Sequence, residues 1–588
     1  MKSLTNFLST YRRALIAAVV LIILLTAGLV LDLANHGLAW QIMLSLTGEE
    51  KPVSQMLGMV DWLGNFTREQ PQTAPDVPIN HTGVNPYGIN TFLEQEVEPA
   101  KREQQVQMIA GAGFHWIRQE IPWEDIEISA RGDFQDRRNA GSIGVVNAWA
   151  KYDSIVDLVQ KYGLELEARI DRPPKWTRAN QDAINFTPPD NWDDYITFLT
   201  TFAQRYKGRI HTYQIWNEPN IYPEWGENAV NPEEYTQVLC RAYKALKQVD
   251  PTNLVISAAL SPTNELNGHN LNDFIFLQRM YDAGAKGCFD ILSTQGYGFF
   301  SGPTDQRLRP TNTTFARPIY LRDVMVANGD AATPIWISEA AWNPVDSPEV
   351  PDMPLKTQYG LVTRDQAARY MPLAYDRAQQ DWPWVGVINY WFFKRPSDDD
   401  KNQPYYYFRM VEPDFTPLPV YDSMKNYIAS TAPTLYAGVH QEDDWAIKAD
   451  ADAKLTHLNV AQFGQALQTS NLTFTYHGTG IVIRWIGLLS NKIKISVDGG
   501  EAITSRAPAL NTLDISANPN LWTKASVGDS FRAETHTVHI SAESPFLLDS
   551  VTVYDQSVPN LLPLILVGTA LGLLAVVDIG GSLWKRFS

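Results

Sequence analysis

Tyr213-Gln214-Ile215-Trp216-Asn217-Glu218-Pro219-Asn220 joins a short apolar run to an acidic loop. The run has the aromatic and β-branched content of a strand, and Pro219, which lacks an N–H to donate, ends it. An Asn-Glu pair is thereby delivered at the end of a strand. What that pair means depends on how many such strands the chain holds and on what their ends carry.

Eight strand-like runs fall at residues 87–90, 114–118, 164–170, 211–216, 254–258, 289–294, 335–338 and 385–390. Helix-like runs alternate with them at 101–110, 151–161, 192–206, 232–248, 271–282, 318–327 and 364–379. Alternation of this kind predicts parallel strands joined by crossover helices, and eight units predict a closed (β/α)8 TIM barrel. Function in that architecture sits where strands run into the following loops. The unusual residues fall there: Arg118-Gln119-Glu120 with Trp123 beyond, Asp171 to Trp176, Asn217-Glu218, Gln295-Gly296-Tyr297, Glu339 with Trp342, and Trp391.

Glu218 and Glu339 are far apart in sequence, but a barrel brings the ends of its fourth and seventh strands to one rim. Cleavage of a glycosidic bond needs one carboxyl protonated to assist the leaving oxygen and one ionised to meet the sugar carbon. Arg118 and Tyr297 are placed to hold Glu339 ionised, and Asn217 to donate to a sugar 2-hydroxyl. Trp123, Trp176, Trp342 and Trp391 offer flat faces to sugar C–H surfaces.

As a set, Asn217-Glu218-Pro219, Ile335-Trp336-Ile337-Ser338-Glu339, Arg118 and Trp391 resemble the retaining (β/α)8 glycoside hydrolase clan, and most of all glycoside hydrolase family 39, over residues 86–430. The resemblance implies Glu218 as acid/base, Glu339 as nucleophile and retention of anomeric configuration. Some family 39-like enzymes are tethered to membranes and act on exopolysaccharide. One position departs from the pattern: Gln295 stands where the clan usually has His, two residues before the strand-six Tyr, and Gln cannot titrate.

The rest of the composition agrees with a neutral or polar substrate. A net charge of -17 over 588 residues excludes the basic stripes that displace phosphate counterions, so no nucleic acid is expected. The ten histidines show no paired ligand spacing and no Gly-rich phosphate loop follows a strand, so neither metal nor cofactor is expected. Cys240 and Cys288 are the only cysteines and read as two buried free thiols.

Residues 14–31 are apolar and follow Lys2, Arg12 and Arg13. At 18 residues the run exceeds the roughly 7–15 of a cleaved signal sequence, so an uncleaved anchor is expected. A second apolar run, 561–577, precedes Trp584, Lys585 and Arg586. Positive charge beyond both runs predicts two cytoplasmic termini and an extracytoplasmic body on the cell membrane.

The expected organisation is a cytoplasmic stub and transmembrane anchor (1–34), a linker or stalk (35–80), the barrel (81–432), a smaller antiparallel β-sandwich of jelly-roll-like type (433–556), and a transmembrane helix with cytoplasmic tail (557–588). Residues 33–59 read equally as a membrane-surface helix or a stalk. The function expected is a retaining glycosidase on a polysaccharide or oligosaccharide, with the lipid bilayer as its other partner. Its alternative is a catalytically inactive glycan-binding or exopolysaccharide-assembly ectodomain.

Overall fold

The computed structural model describes residues 16, 19–21, 23–487, 492–500, 503–506, 523–527 and 532–556. Three helices open the described chain: α1 (Val19–Ala34), α2 (Leu38–Thr47) and α3 (Pro52–Leu63). Among the described residues no single helix is long and apolar enough to cross a membrane; α1 and α2 reach that measure only together, across a bend of 70°. The N-terminal span expected over 14–31, part of which lies outside the described residues, is therefore not supported; beyond it the chain turns at Asn35-His36-Gly37, where Gly37 N–H bonds Asp32 O at 2.9 Å. The expected span at 561–577 lies outside the described residues.

Strand alternation organises the centre. In Glu165–Asp171 every second residue is ionisable, and successive strand side chains point to opposite faces. Glu167 faces inward, where it accepts from Asn389 Nδ2 at 3.0 Å across the barrel. Leu166, Ala168 and Ile170 face out into the core beneath the helices. The eight strands are β1 (Tyr87–Thr91), β2 (Trp116–Pro122), β3 (Glu165–Asp171), β4 (Thr212–Ile215), β5 (Leu254–Ile256), β6 (Leu292–Gln295), β7 (Ile335–Ala340) and β8 (Val385–Tyr390).

All pair in parallel, in the order β5-β4-β3-β2-β1-β8-β7-β6. Parallel bridges Ile256↔Ile291 and Leu260↔Thr294 join the remaining seam between β5 and β6. The crossover helices are α4 (Pro99–Gly111), α5 (Trp149–Lys161), α6 (Trp192–Arg205), α7 (Pro232–Val249), α8 (Asp273–Asp282), α9 (Pro318–Ala327) and α10 (Arg364–Asp381), with α11 (Pro419–Ser430) following β8. Helix starts are fixed by side-chain caps from Asn191, Asn231 and Asn272, and by a Thr363/Gln366 capping box.

The barrel interior is layered. Trp116, Ile256, Ile291, Trp336 and Val387 form an apolar plug at the N-terminal end. Above it the fill turns polar, with Glu167, Arg118, Gln214, Ser338 and Asn389, all buried.

The following strands are β9 (Gly438–Gln441), β10 (Lys448–Ala449), β11 (Lys454–His457), β12 (Gln465–Gly478), β13 (Gly480–Gly487), β14 (Lys492–Val497), β15 (Ile503–Arg506), β16 (Thr523–Val527) and β17 (Glu534–Tyr554). They pair as one antiparallel network over a core of their own, rather than as two separate sheets. β17 is its spine, pairing with β9, β12, β13 and β14. β17 continues through Pro545 because the register jumps from Thr469↔Phe546 to Asn471↔Ser541, and the extra residues of that bulge take up the proline. This sheet domain meets the barrel ahead of β1, through Trp445 N–H to Gly83 O (2.9 Å) and His81 N–H to Gln441 Oε1 (2.8 Å). It therefore stands at the end of the barrel opposite the strand C-termini.

Cys240 and Cys288 are not free: they form a disulfide with Cα atoms 4.5 Å apart. Cys240 lies on α7 and Cys288 between α8 and β6, and the side-by-side packing of consecutive crossover helices brings them together. A bridge across 48 residues of sequence restricts the unfolded chain, a contribution of about 2–4 kcal/mol. Cys240→Ser is expected to lower unfolding free energy by about that amount, measured by urea denaturation. Dithiothreitol should lower wild-type stability and leave the variant unchanged.

Candidate active site

Arg118, on β2, is buried inside the barrel and touches four other strands. Its Nε donates to Gln214 Oε1 (2.7 Å), Nη1 to Asn90 Oδ1 (2.6 Å) and Glu339 Oε1 (3.0 Å), and Nη2 to Asn217 Oδ1 (2.9 Å). Glu167 Oε1 lies 3.4 Å from Nε. The same contacts aim the rim. Glu339 receives a second donor from the Tyr297 hydroxyl on Oε2 (2.6 Å), and Arg169 Nη1 stands 4.0 Å from Oε1. Asn217 must turn its carbonyl oxygen toward the guanidinium, which leaves its amide N–H groups as donors.

Glu218 is set by backbone strain. Trp216 and Glu218 both adopt positive φ, 69° and 37°, a region costly for residues with a Cβ. Three contacts hold the turn: Glu218 N–H to Ala259 O (3.0 Å), Trp216 Nε1 to Glu224 O (2.8 Å) and Asn220 Nδ2 to Ser261 O (2.8 Å). Gln295 Nε2 donates to Glu218 Oε1 at 3.0 Å, while Gln295 pairs in register with Glu339. One residue thus ties the two glutamates together.

Their surroundings are unequal. Glu339 has a guanidinium and a phenol; among the described residues no Lys or Arg forms an ion pair with Glu218. Burial first, and then the charge of Glu339, push the Glu218 carboxyl up to about 7, against the pull of hydrogen bonds from Gln295 and Ser261. A protonated carboxyl beside an ionised one is what proton-assisted bond cleavage requires.

No family model and no curated protein matches this chain. Solved structures with a similar course of the chain include a family 39 glycoside hydrolase from the gut symbiont Bacteroides cellulosilyticus WH2 (16% identity, 79% of this chain and 83% of that one, TM-score 0.43). Others are a family 39 β-xylosidase from Caulobacter crescentus (13%, 80% and 97%, 0.42) and xylanase 10B from Thermotoga maritima (15%, 59% and 96%, 0.40).

Of the four tryptophans expected to carry substrate, two are corrected outright. Trp123 is fully buried, stacked on Phe198 at 5.4 Å with its indole N–H on Glu127 Oε2 (2.7 Å). Trp342 is equally buried, bonded to Ser301 O (2.7 Å), and lies so close under Gly298 that a Cβ there would fall 1.8 Å from the indole nitrogen. Trp176 is half-buried, but its N–H is taken by Glu127 O (2.8 Å), which removes the hydroxyl contact expected of it. Trp391 is half-buried, packed edge-on to Phe92 and Phe392, at the end of β8.

Sequence reasoning gave no role to Asn90, Gln214, Arg169 or Glu224. Asn90 and Gln214 orient Arg118. Arg169 bonds Glu120 (2.7 Å) and Asp171 (3.0 Å), and Arg172 also bonds Glu120. Burial raises Asp171 to about 7, Arg169 opposing; burial and then Glu218 push Glu224 well above the carboxylate range. The alternation in Glu165–Asp171 was the signal that could have found Arg169. A cavity of about 540 Å³ opens between the ends of β1, β2 and β3, lined by Glu94, Glu120, Arg172 and Lys175 among others and not by Glu218 or Glu339.

Arg118→Met is expected to cost about 3–5 kcal/mol in denaturant unfolding, because Glu167 and Glu339 would be left buried without their cation. In a carboxyl NMR titration Glu218 should have its midpoint near 7. The midpoint should fall in Glu339→Gln, where the neighbouring negative charge is gone.

Proposed function

We propose that the chain is a membrane-tethered retaining glycoside hydrolase that cleaves O-glycosidic bonds of an extracellular or cell-surface polysaccharide by double displacement. The observation that carries this reading is the unequal pair: Glu339 compensated by Arg118 and Tyr297, Glu218 raised to about 7 with only neutral donors. Of the residues that resemble family 39, Arg118, Asn217, Glu218 and Glu339 are those gathered here.

In the first step Glu218 gives its proton to the glycosidic oxygen as the C–O bond breaks, and Glu339 attacks the anomeric carbon to form a glycosyl ester. Asn217 donates to the 2-hydroxyl, a contact that strengthens in the transition state. Esterification removes the charge of Glu339, and with it part of what kept Glu218 protonated. Glu218, now a carboxylate, takes a proton from water, which attacks the same carbon and releases Glu339. Trp391 supplies an apolar face for the sugar ring.

Two features support the location. The apolar runs at 14–31 and 561–577 each carry positive charge on the outer side. The Cys240–Cys288 bridge suits a body that folds in an oxidising compartment.

Glu218→Gln is expected to slow hydrolysis of substrates with poor leaving groups by about 10²–10⁴-fold, and Glu339→Gln to abolish it. Because the working form of Glu218 is protonated, wild-type activity should fall as pH rises through about 7. NMR of the first-formed product should show the substrate's anomeric configuration. Glycan binding by the wild type without turnover, on an aryl-glycoside panel and on host exopolysaccharide, would decide for a binding ectodomain instead.

A further inference from the structure

We infer that α3, with the end of α2, lies along the bilayer surface with its apolar face in the lipid, and so fixes the rim of the barrel beside the membrane. This deepens the tethered reading above and rests on it.

The helix is amphipathic in the inverted sense. Val53, Met56, Leu57, Val60 and Leu63 share one face at helical spacing, and each is 53–72 % exposed; Phe66, just beyond, is 76 % exposed. The opposite face is small and polar. Gln55 is buried with its amide on Trp40 O (3.1 Å), and a Cβ on Gly58 would come within 2.9 Å of Thr47 Cβ. A helix packed on a protein in water turns its apolar stripe inward; this one turns it out, and the contiguous patch is of the kind that marks a binding surface.

Chain continuity selects lipid as the occupant. The exposed apolar helix α1 ends only three residues before α2 begins, and the 70° bend between them is the turn a chain makes on passing from across a bilayer to along it. Trp62 and Phe66, whose rings meet at 5.3 Å, and the flanking Lys51 and Arg68 are side chains that settle at the head-group level.

The inner side of the helix pair is bonded to the loop that follows Tyr297. Gly302 N–H reaches Gly48 O (2.8 Å), Thr304 Oγ1 reaches Leu44 O (2.7 Å), Arg307 pairs with Glu49 (2.9 Å), and Arg309 with Asp61. Tyr297 itself holds Glu339. The lipid contact is therefore connected through a short, fully bonded path to the catalytic rim, and the glycan segments presented to it are those near the membrane surface.

The test uses the full-length protein in phosphatidylcholine/phosphatidylglycerol vesicles containing brominated lipid, with Cys240 and Cys288 kept oxidised. A bimane probe is placed in turn on Leu57→Cys, Val60→Cys and, as control, Ser142→Cys on the exposed barrel side. Bromolipid is expected to quench the first two at least twofold more than the third, and aqueous iodide to show the reverse order. Iodide quenching of all three, with the protein still in the vesicles after a carbonate wash, would overturn the surface helix and leave the tether standing. Release by carbonate would overturn both. Shielding of Leu57→Cys and Val60→Cys from both quenchers would mean that protein, a second copy or the 561–577 segment, covers the face, and would also overturn the inference.

Discussion

A guanidinium buried in a barrel can persist only if carboxylates and carbonyl oxygens surround it in its own plane. Arg118 meets that condition with Gln214, Asn90, Asn217, Glu167 and Glu339, contributed by β1, β3, the end of β4 and β7. A lysine would offer one charged point and three donors; the planar fork reaches several strands at once and keeps fixed angles between them. Strand register is thereby translated into the position of two rim residues, Asn217 and Glu339. Any shift of β4 or β7 would strand a buried charge, so the contact that stabilises the barrel also holds the site in shape.

The same electrostatics decide which glutamate carries a proton. Inside the upper barrel, Arg118, Arg169 and Arg172 face Glu120, Glu167, Asp171, Glu218, Glu224 and Glu339. Charge is therefore short on the positive side, and three guanidinium groups cannot hold every buried carboxyl down. Despite burial, the largest influence on it, Glu120 is held down to about 2 by Arg169 and Arg172. Asp171, Glu218 and Glu224 are pushed up. A site so arranged resists a further negative charge and gains when one is removed.

The eight strands were legible because each barrel unit repeats a run of period two followed by one of period 3.6. Arg118, Glu218, Glu339 and Tyr297 were legible because ionisable or phenolic groups at strand ends have few structural uses. The tryptophans were not. Trp123 and Trp342 follow strands as a substrate platform would, but a large indole serves a core equally well, and sequence position does not say which way it points. Cys240 and Cys288 are 48 residues apart, a separation that only the packing of neighbouring barrel units closes.

The attachments of the barrel bear on how it would stand at a membrane. α2 and α3 bond to the loop after β6, at the strand C-terminal end. The sheet domain bonds ahead of β1, and β17, which ends at Tyr554, runs past Gly438, whose Cβ position lies 2.9 Å from Pro383 just before β8. The two routes toward the apolar runs thus leave from opposite ends of the barrel. On the tethered reading, a bilayer reached from both ends must lie alongside the barrel axis rather than across it.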